Sequence, residues 1–175
     1  MKKEWAFTAR EISTFSADRL YRVYFADNSL YFVKVGGQDG VARGAATQFG
    51  LLGALFFWWW EKRAKERLRQ RLAADDHQNL RELIARDGTN YQVPVGQIRS
   101  SVIEPAAMFG GYGPHEGVWR FEDTSGKKHV LQFEGAEDMK EAITRLAVVL
   151  GAVFSNQVEW SPAKKRFIKR SGQSV

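Results

Sequence analysis

Residues Tyr21–Val35 read YRVYFADNSLYFVKV. Tyr21, Val23 and Phe25 alternate with Arg22 and Tyr24, and Leu30, Phe32 and Val35 bracket Tyr31, Val33 and Lys34. Between the two runs, Asp27-Asn28-Ser29 supplies residues that turns favour. Aromatic and β-branched side chains at a two-residue period on both sides of such a turn predict a β-hairpin. Upstream, EWAFTAREI (residues 4–12) alternates more loosely and predicts a first strand. Downstream, Gly36-Gly37-Gln38-Asp39-Gly40 breaks the sheet.

Strand signals resume only after Gly88. Asn90-Tyr91-Gln92-Val93-Pro94-Val95 is extended, with Pro94 marking an edge or a bulge. Ile98, Val102 and Ile103 continue the sheet, and Glu104–Gly117 is a Gly/Pro-rich loop. Val118–Glu122 (VWRFE) and His129–Phe133 (HVLQF) predict a second hairpin about Ser125-Gly126. Ala136–Phe154 then predicts a helix with Met139, Ile143, Leu146, Val149 and Leu150 on its core face and Val153 extending it. The remainder, 155–175, is polar and basic with Pro162, and reads as a flexible tail.

What separates the two sets of strands is helical in character. Gly44–Trp60, GAATQFGLLGALFFWWW, is seventeen residues without a charge, preceded by Arg43 and followed by Glu61-Lys62-Arg63. Ala42, Ala46, Gly50 and Ala54 fall at i, i+4 spacing and make a small-residue packing face. Phe49, Leu52, Phe56 and Trp60 make a bulky one. The helix continues as EKRAKERLRQRL, where Ala64, Leu68 and Leu72 keep an i+4 stripe among charges. Ala73–Asp76 predicts a break, after which Asp75 or Asp76 caps a third piece carrying Leu80, Leu83 and Ile84 and ending at Gly88. The expected organisation is a discontinuous β-domain (1–39 and 89–154), a helical insertion (40–88) and a basic tail (155–175).

Charge sharpens this picture. The chain of 175 residues has a net charge of +6, and eleven of its 26 basic residues lie in two short segments, 61–71 and 164–170. Those segments hold only two of the 20 acidic residues, so the rest of the protein, with 15 basic against 18 acidic, is mildly acidic. Local anionic contacts fit that distribution better than a domain-wide nucleic-acid face. There is no cysteine, which removes disulfides and thiolate-ligated metals. The N-terminal MKKEWAFTAREIST has no apolar core after its lysines and does not read as a secretory signal, so a cytoplasmic setting is expected.

An α+β order emerges, in which a C-terminal helix plugs one end of a curved sheet. With NYQVPVGQI entering the second set of strands, a W-R-F…H-V-L-Q-F hairpin and EDMKEAITRLAVVL closing it, this order resembles bacterial pleckstrin-homology-like (PH-like) domains. Those commonly show a Y/F-x-I/V-P-x-x-x-I strand, which Tyr91, Val93, Pro94 and Ile98 match. The resemblance covers about residues 4–35 and 89–154. It implies a PH-like curved antiparallel β-sheet or barrel capped by a C-terminal α-helix, with a helical insertion between strands. It also implies basic headgroup ligands around the first strand pair. Arg10, Arg19 and Arg22 stand there, but their spacing departs from the family's lysine/arginine pattern, and strand-edge charge is the plainer reading.

Function turns on Gly44–Trp60. Seventeen helical residues span about 25 Å at ~1.5 Å each, short of the roughly 30 Å of a hydrocarbon core. A single crossing would also put the two halves of one sheet on opposite sides of the bilayer. Three readings stay open. Phe49, Leu52, Phe56, Trp58, Trp59 and Trp60 can lie in the membrane interface on the inner face, with Lys62, Arg63, Lys65 and Arg67 on anionic lipid. Lys164, Lys165, Arg166, Lys169 and Arg170 would then add a second polybasic contact. Alternatively, the small-residue face packs on another copy or a partner helix, or the segment folds back onto its own β-domain. Nonspecific nucleic-acid binding through the basic segments is the outside alternative, since no recognition motif accompanies them. Catalysis has little to stand on: His77, His115 and His129 lack metal-ligand spacing, and His115-Glu116 is better explained by loop solvation. Gly110-Gly111-Tyr112-Gly113 is neither a P-loop nor a dinucleotide fingerprint. A non-enzymatic binding module without cofactor, metal or small-molecule substrate is the expectation.

Overall fold

The computed structural model describes residues 3–12, 18–37, 50–106 and 115–170, without the side chains of residues 50–61 and 65. Phe49, Ala42 and Ala46 therefore lie outside the described residues. Gly50, Leu52, Ala54, Phe56, Trp58, Trp59 and Trp60 are described as helical backbone.

The hairpin forms as its residues require. β2 (Arg19–Ala26) and β3 (Ser29–Gly37) pair from Ala26↔Ser29 outward, leaving a loop of only Asp27 and Asn28. Both loop residues have positive φ, 46° and 56°. That is the mirror-image turn that matches strand twist, and Asp and Asn tolerate it better than other side-chain-bearing residues. β1 (Trp5–Glu11) pairs with β2, and β4 (Tyr91–Pro94) with β3. A second meander of β5 (Ile98–Pro105), β6 (Gly117–Asp123) and β7 (Lys128–Phe133) joins through the β1–β7 pairing. Proline closes β4, and a 3-10 turn at Val95–Gln97 redirects the chain into β5.

Helix α3, Ala136–Leu150, packs on β1, β5 and β7 and buries Met139, Ala142, Leu146 and Leu150. Ile143 and Val149 pack beside them at the margin of the core. The helix ends four residues earlier than its periodicity predicts. Gly151 at φ +53° terminates it, and a 3-10 turn leads to strand β8, Phe154–Asn156. Val153 is consequently 38% exposed and no part of the helix's core face.

β8 lies parallel to β5, so the eight-stranded sheet runs β4-β3-β2-β1-β7-β6-β5-β8. The architecture is α+β: one large, curved, mostly antiparallel sheet with a helix near the C-terminus. Residues 155–170 correct the expectation of a flexible tail. Strands β9 (Val158–Ser161) and β10 (Arg166–Lys169) pair as a hairpin against β5. Val158 and Phe167 are buried in the main core, and this burial organises a segment whose composition is polar.

The insertion holds α1 (Gly50–His77) and α2 (Leu80–Ala85). Contrary to expectation, Ala73–Asp76 is not a break: α1 runs unbroken through it. The cap falls to Asn79, whose side chain accepts the Arg81 N–H. Asp75 is buried and engaged elsewhere, as described below. The inner face of the hairpin (Tyr21, Val23, Phe25, Leu30, Phe32) belongs to the main core. Its outer face forms a second cluster, Tyr24, Ala26, Tyr31 and Val33 with Leu80 and Leu83 of α2. Strands β2 and β3 are thus buried on both sides, and the insertion supplies the second cover.

Candidate functional site

The attachment of α1 is polar and specific. The Asp75 side chain, 2% exposed, accepts two hydrogen bonds from the Arg86 guanidinium at 2.7 and 2.9 Å. The geometry is bidentate, the strongest form of this pair, and it raises the Arg86 pKa above its ordinary value. Lys3 donates to the Asp75 carbonyl, and Arg71 donates to the carbonyl of Val35 on β3 at 3.2 Å. Arg22 of β2 reaches Asp76 at 3.4 Å. Lys34 of β3 reaches Asp87, which also accepts the Thr89 N–H and hydroxyl. The last two turns of α1 and all of α2 are therefore fastened to β2, β3 and the entry to β4.

With its anchored turns included, α1 is 28 residues long, about 42 Å at ~1.5 Å per residue. Lys62, Arg63, Arg67, Arg69 and Arg71 are exposed, while Ala64, Leu68 and Leu72 form the expected half-buried stripe. Lys65 is placed within this turn sequence by the helix backbone alone. The uncharged Gly50–Trp60 precedes these turns in the same helix, with no intervening loop. Charge and apolarity are therefore separated along the axis: eleven residues without charge, then eleven with six basic and two acidic.

The other basic group lies elsewhere. Lys164, Lys165, Arg166, Lys169 and Arg170 are exposed on or beside the β9–β10 hairpin, which packs against β5. α1 contacts β3, five places away in the sheet order. Two separate basic surfaces result. Arg10 and Arg22, the headgroup candidates of the first strand pair, are engaged by carboxylates: Arg10 with Glu134 at 2.6 Å, Arg22 with Asp76 and, at 3.8 Å, Asp138. Arg19 hydrogen-bonds the Tyr21 side chain. A phosphate there would have to displace carboxylates from both Arg10 and Arg22.

A polar cluster that sequence reading missed lies at the His129 end of β7, away from the Phe133 end that leads into α3. His129, 2% exposed, is stacked on Phe121 (ring centroids 4.3 Å, 7° between planes) and more loosely on Tyr91 (5.5 Å, 26°). Its Nδ1 lies 3.2 Å from Glu11 Oε1 and 3.3 Å from the Tyr91 hydroxyl, which donates to the same carboxylate at 3.1 Å. Asp123 Oδ2 is 3.8 Å from Nε2. Burial pushes the Glu11 carboxyl up, but the hydrogen bonds from His129 and Tyr91 outweigh it and leave the pKa below its ordinary value. Burial, and then the nearby Glu11 charge, hold the Tyr91 phenol well above its ordinary range. These contacts bind β1, β4, β6 and β7 together. The detectable signal was phase: Glu11 continues the inward series Phe7, Ala9, and His129 begins the series Leu131, Phe133. His115 instead sets its Nδ1 3.3 Å from the Gly117 carbonyl.

Among the described residues no cluster of three or more His, Asp or Glu side chains could hold a metal ion. No helix of the described residues is long and apolar enough to cross a membrane. Comparisons with protein-family models, with curated proteins and with solved structures give no match.

Proposed function

We propose that this chain is a non-enzymatic PH-like binding module that docks peripherally on an anionic membrane surface through helix α1. The order of its two meanders, β4-β3-β2-β1 beside β7-β6-β5, and the helix that follows β7 support the PH-like reading. The docking reading rests on one observation. A single unbroken helix carries an uncharged, tryptophan-ended half directly into a half with exposed basic side chains, and its far end is tied to β3 through Arg71 and to β2 through Asp76. Tryptophan suits the headgroup level, and each lysine or arginine near an anionic leaflet contributes about 1 kcal/mol.

Flotation of the whole chain with phosphatidylcholine vesicles, with and without phosphatidylserine, tests this. Recovery should rise with phosphatidylserine, fall with salt, and drop when Trp58, Trp59 and Trp60 are replaced by alanine. Equal recovery on both vesicles, or indifference to the alanine replacements, would overturn it. A concentration-dependent dimer abolished by Gly50→Leu, without flotation, would favour self-association in its place.

A further inference from the structure

We infer that the β9–β10 hairpin is a second, preformed docking surface for an anionic membrane, one that works without the apolar half of α1. The inference rests on the membrane reading above and gives it a further contact with a test of its own. Lys164, Lys165, Arg166, Lys169 and Arg170 are exposed, and residues 164–170 hold no acidic side chain. Other basic residues of the β-domain, such as Arg10, Lys34, Arg120 and Arg145, each have a carboxylate within 3.3 Å. Among the described residues no carboxylate pairs with any of the five hairpin cations. Across the hairpin Arg166 faces Ser161 and Lys169 faces Val158, while the one acid of residues 155–170, Glu159, faces Ile168. The positive charge here is left for something outside the chain.

The cations are also held in place. Val158 and Phe167, on one face of the hairpin, lie in the main core. The Arg170 N–H donates to the Gln157 carbonyl at 2.9 Å, and the Lys164 N–H donates to the Ser161 hydroxyl at 3.3 Å. Lys140 of α3 sits 4.6 Å over the Trp160 ring and ties the hairpin to that helix. Because this backbone is ordered before contact, binding costs only side-chain freedom. Lys164, Lys165 and Arg166 stand at the turn, and Arg170 lies about 13 Å from Arg166 at ~3.3 Å per residue. Cations spread over that distance suit a surface of laterally mobile anionic headgroups, where each lysine or arginine strengthens partition about fivefold. Single-stranded nucleic acid needs aromatic faces for its bases as well. The hairpin's exposed aromatic, Trp160, is already engaged by Lys140 and, edge to face at 5.2 Å, by Phe167.

Partition of the full chain onto phosphatidylcholine–phosphatidylserine vesicles, measured by co-sedimentation, separates the hairpin from α1. Lys164→Gln, Lys165→Gln and Arg166→Gln should each weaken partition about fivefold, and roughly 100-fold together. The same proportional loss should appear in a background where Trp58, Trp59 and Trp60 are alanine. Arg81→Gln, Lys127→Gln and Lys128→Gln together remove equal charge from exposed positions elsewhere, and their effect should be several-fold smaller. None of the three hairpin side chains enters the core, so melting temperatures should match wild type; Lys164→Gln alone carries the test, at fivefold, if the triple variant is unstable. A hairpin variant that binds no more weakly than the charge-matched control overturns the inference, and leaves docking by α1 standing where the tryptophan variant has lost binding. Partition that survives in the tryptophan variant and is lost only on hairpin replacement upholds the inference and overturns the α1 reading. Failure of the wild type to bind overturns both. Oligonucleotide binding that the hairpin replacements abolish, with vesicle partition unchanged, would overturn the inference in favour of nucleic acid.

Discussion

Replacing either partner of the Asp75–Arg86 clasp should destabilise the protein, and by unequal amounts. Arg86→Ala leaves the Asp75 carboxylate buried, with Arg71, 4.0 Å away, and the Lys3 ammonium to offset part of its charge. Removing one member of a buried pair costs about 3–5 kcal/mol, and partial compensation by Arg71 places the expected loss near the bottom of that range, about 3 kcal/mol. Asp75→Ala leaves a guanidinium whose side chain is 33% exposed. Water can reach that group, so the loss falls to about 1–2 kcal/mol. The double variant has no stranded charge and should resemble Asp75→Ala alone, which gives a coupling energy of about 3 kcal/mol in the cycle, the whole of the Arg86→Ala loss. Equilibrium urea unfolding at neutral pH, followed by tryptophan fluorescence and circular dichroism, measures all four proteins. Equal losses from the two single variants, or strict additivity in the double, would refute the assignment of Asp75 as the buried, dependent partner.

Two further outcomes follow from local geometry. A Cβ at Gly117 would sit 2.7 Å from the Glu104 carbonyl of the paired strand and 2.5 Å from Met139 Cε. The methionine can move but the strand cannot, so Gly117→Ala should cost about 1–3 kcal/mol and lower the melting temperature by about 2–4 °C for each kcal/mol in a chain of this size; an unchanged melting temperature would contradict so close an approach of β5, β6 and α3. Asp87 is held down to about 2 by the N–H and hydroxyl of Thr89, with Lys34 adding to them. Its folded value lies below the unfolded 3.8, so its contribution is present above that value and is lost as pH falls toward about 2. Glu11 has the same sign, while burial raises Asp138, whose contribution runs the other way. A series of urea midpoints across this range should show a shallower acid limb for Asp87→Asn than for wild type; parallel limbs would contradict the shift.

The parts of the fold that follow from local pattern were readable. The Tyr21–Val35 hairpin, the VWRFE/HVLQF hairpin and the core stripe of α3 each rest on a period of 2 or 3.6 and on turn residues that the backbone demands. Three features were hidden for physical reasons. The break expected at Ala73–Asp76 relied on aspartate as a cap, and a tertiary partner, Arg86, overrode that local preference. The segment after Phe154 looked disordered because its composition is polar. Of its described side chains only Val158 and Phe167 enter the core, and they do so because the β9–β10 hairpin packs on β5, some sixty residues earlier in the chain. Glu11 and His129 are polar residues whose types favour the surface, although their phase in β1 and β7 points inward. In each case the side chain's partner lies outside the short window from which a local preference is read.

The insertion shows the same logic at larger scale. Its closing portion gives Leu80 and Leu83 to the outer face of β2 and β3, a small second core that costs the sheet none of its own pairing. The clasp beside it is charged and directional, which fixes orientation where apolar burial alone would fix only proximity. The direct ties from α1 to the sheet are Arg71 to the Val35 carbonyl and Arg22 to Asp76, while Asp75–Arg86 locks α1 to the end of α2, so the last turns of α1, α2 and the outer face of β2 and β3 hold together as one unit.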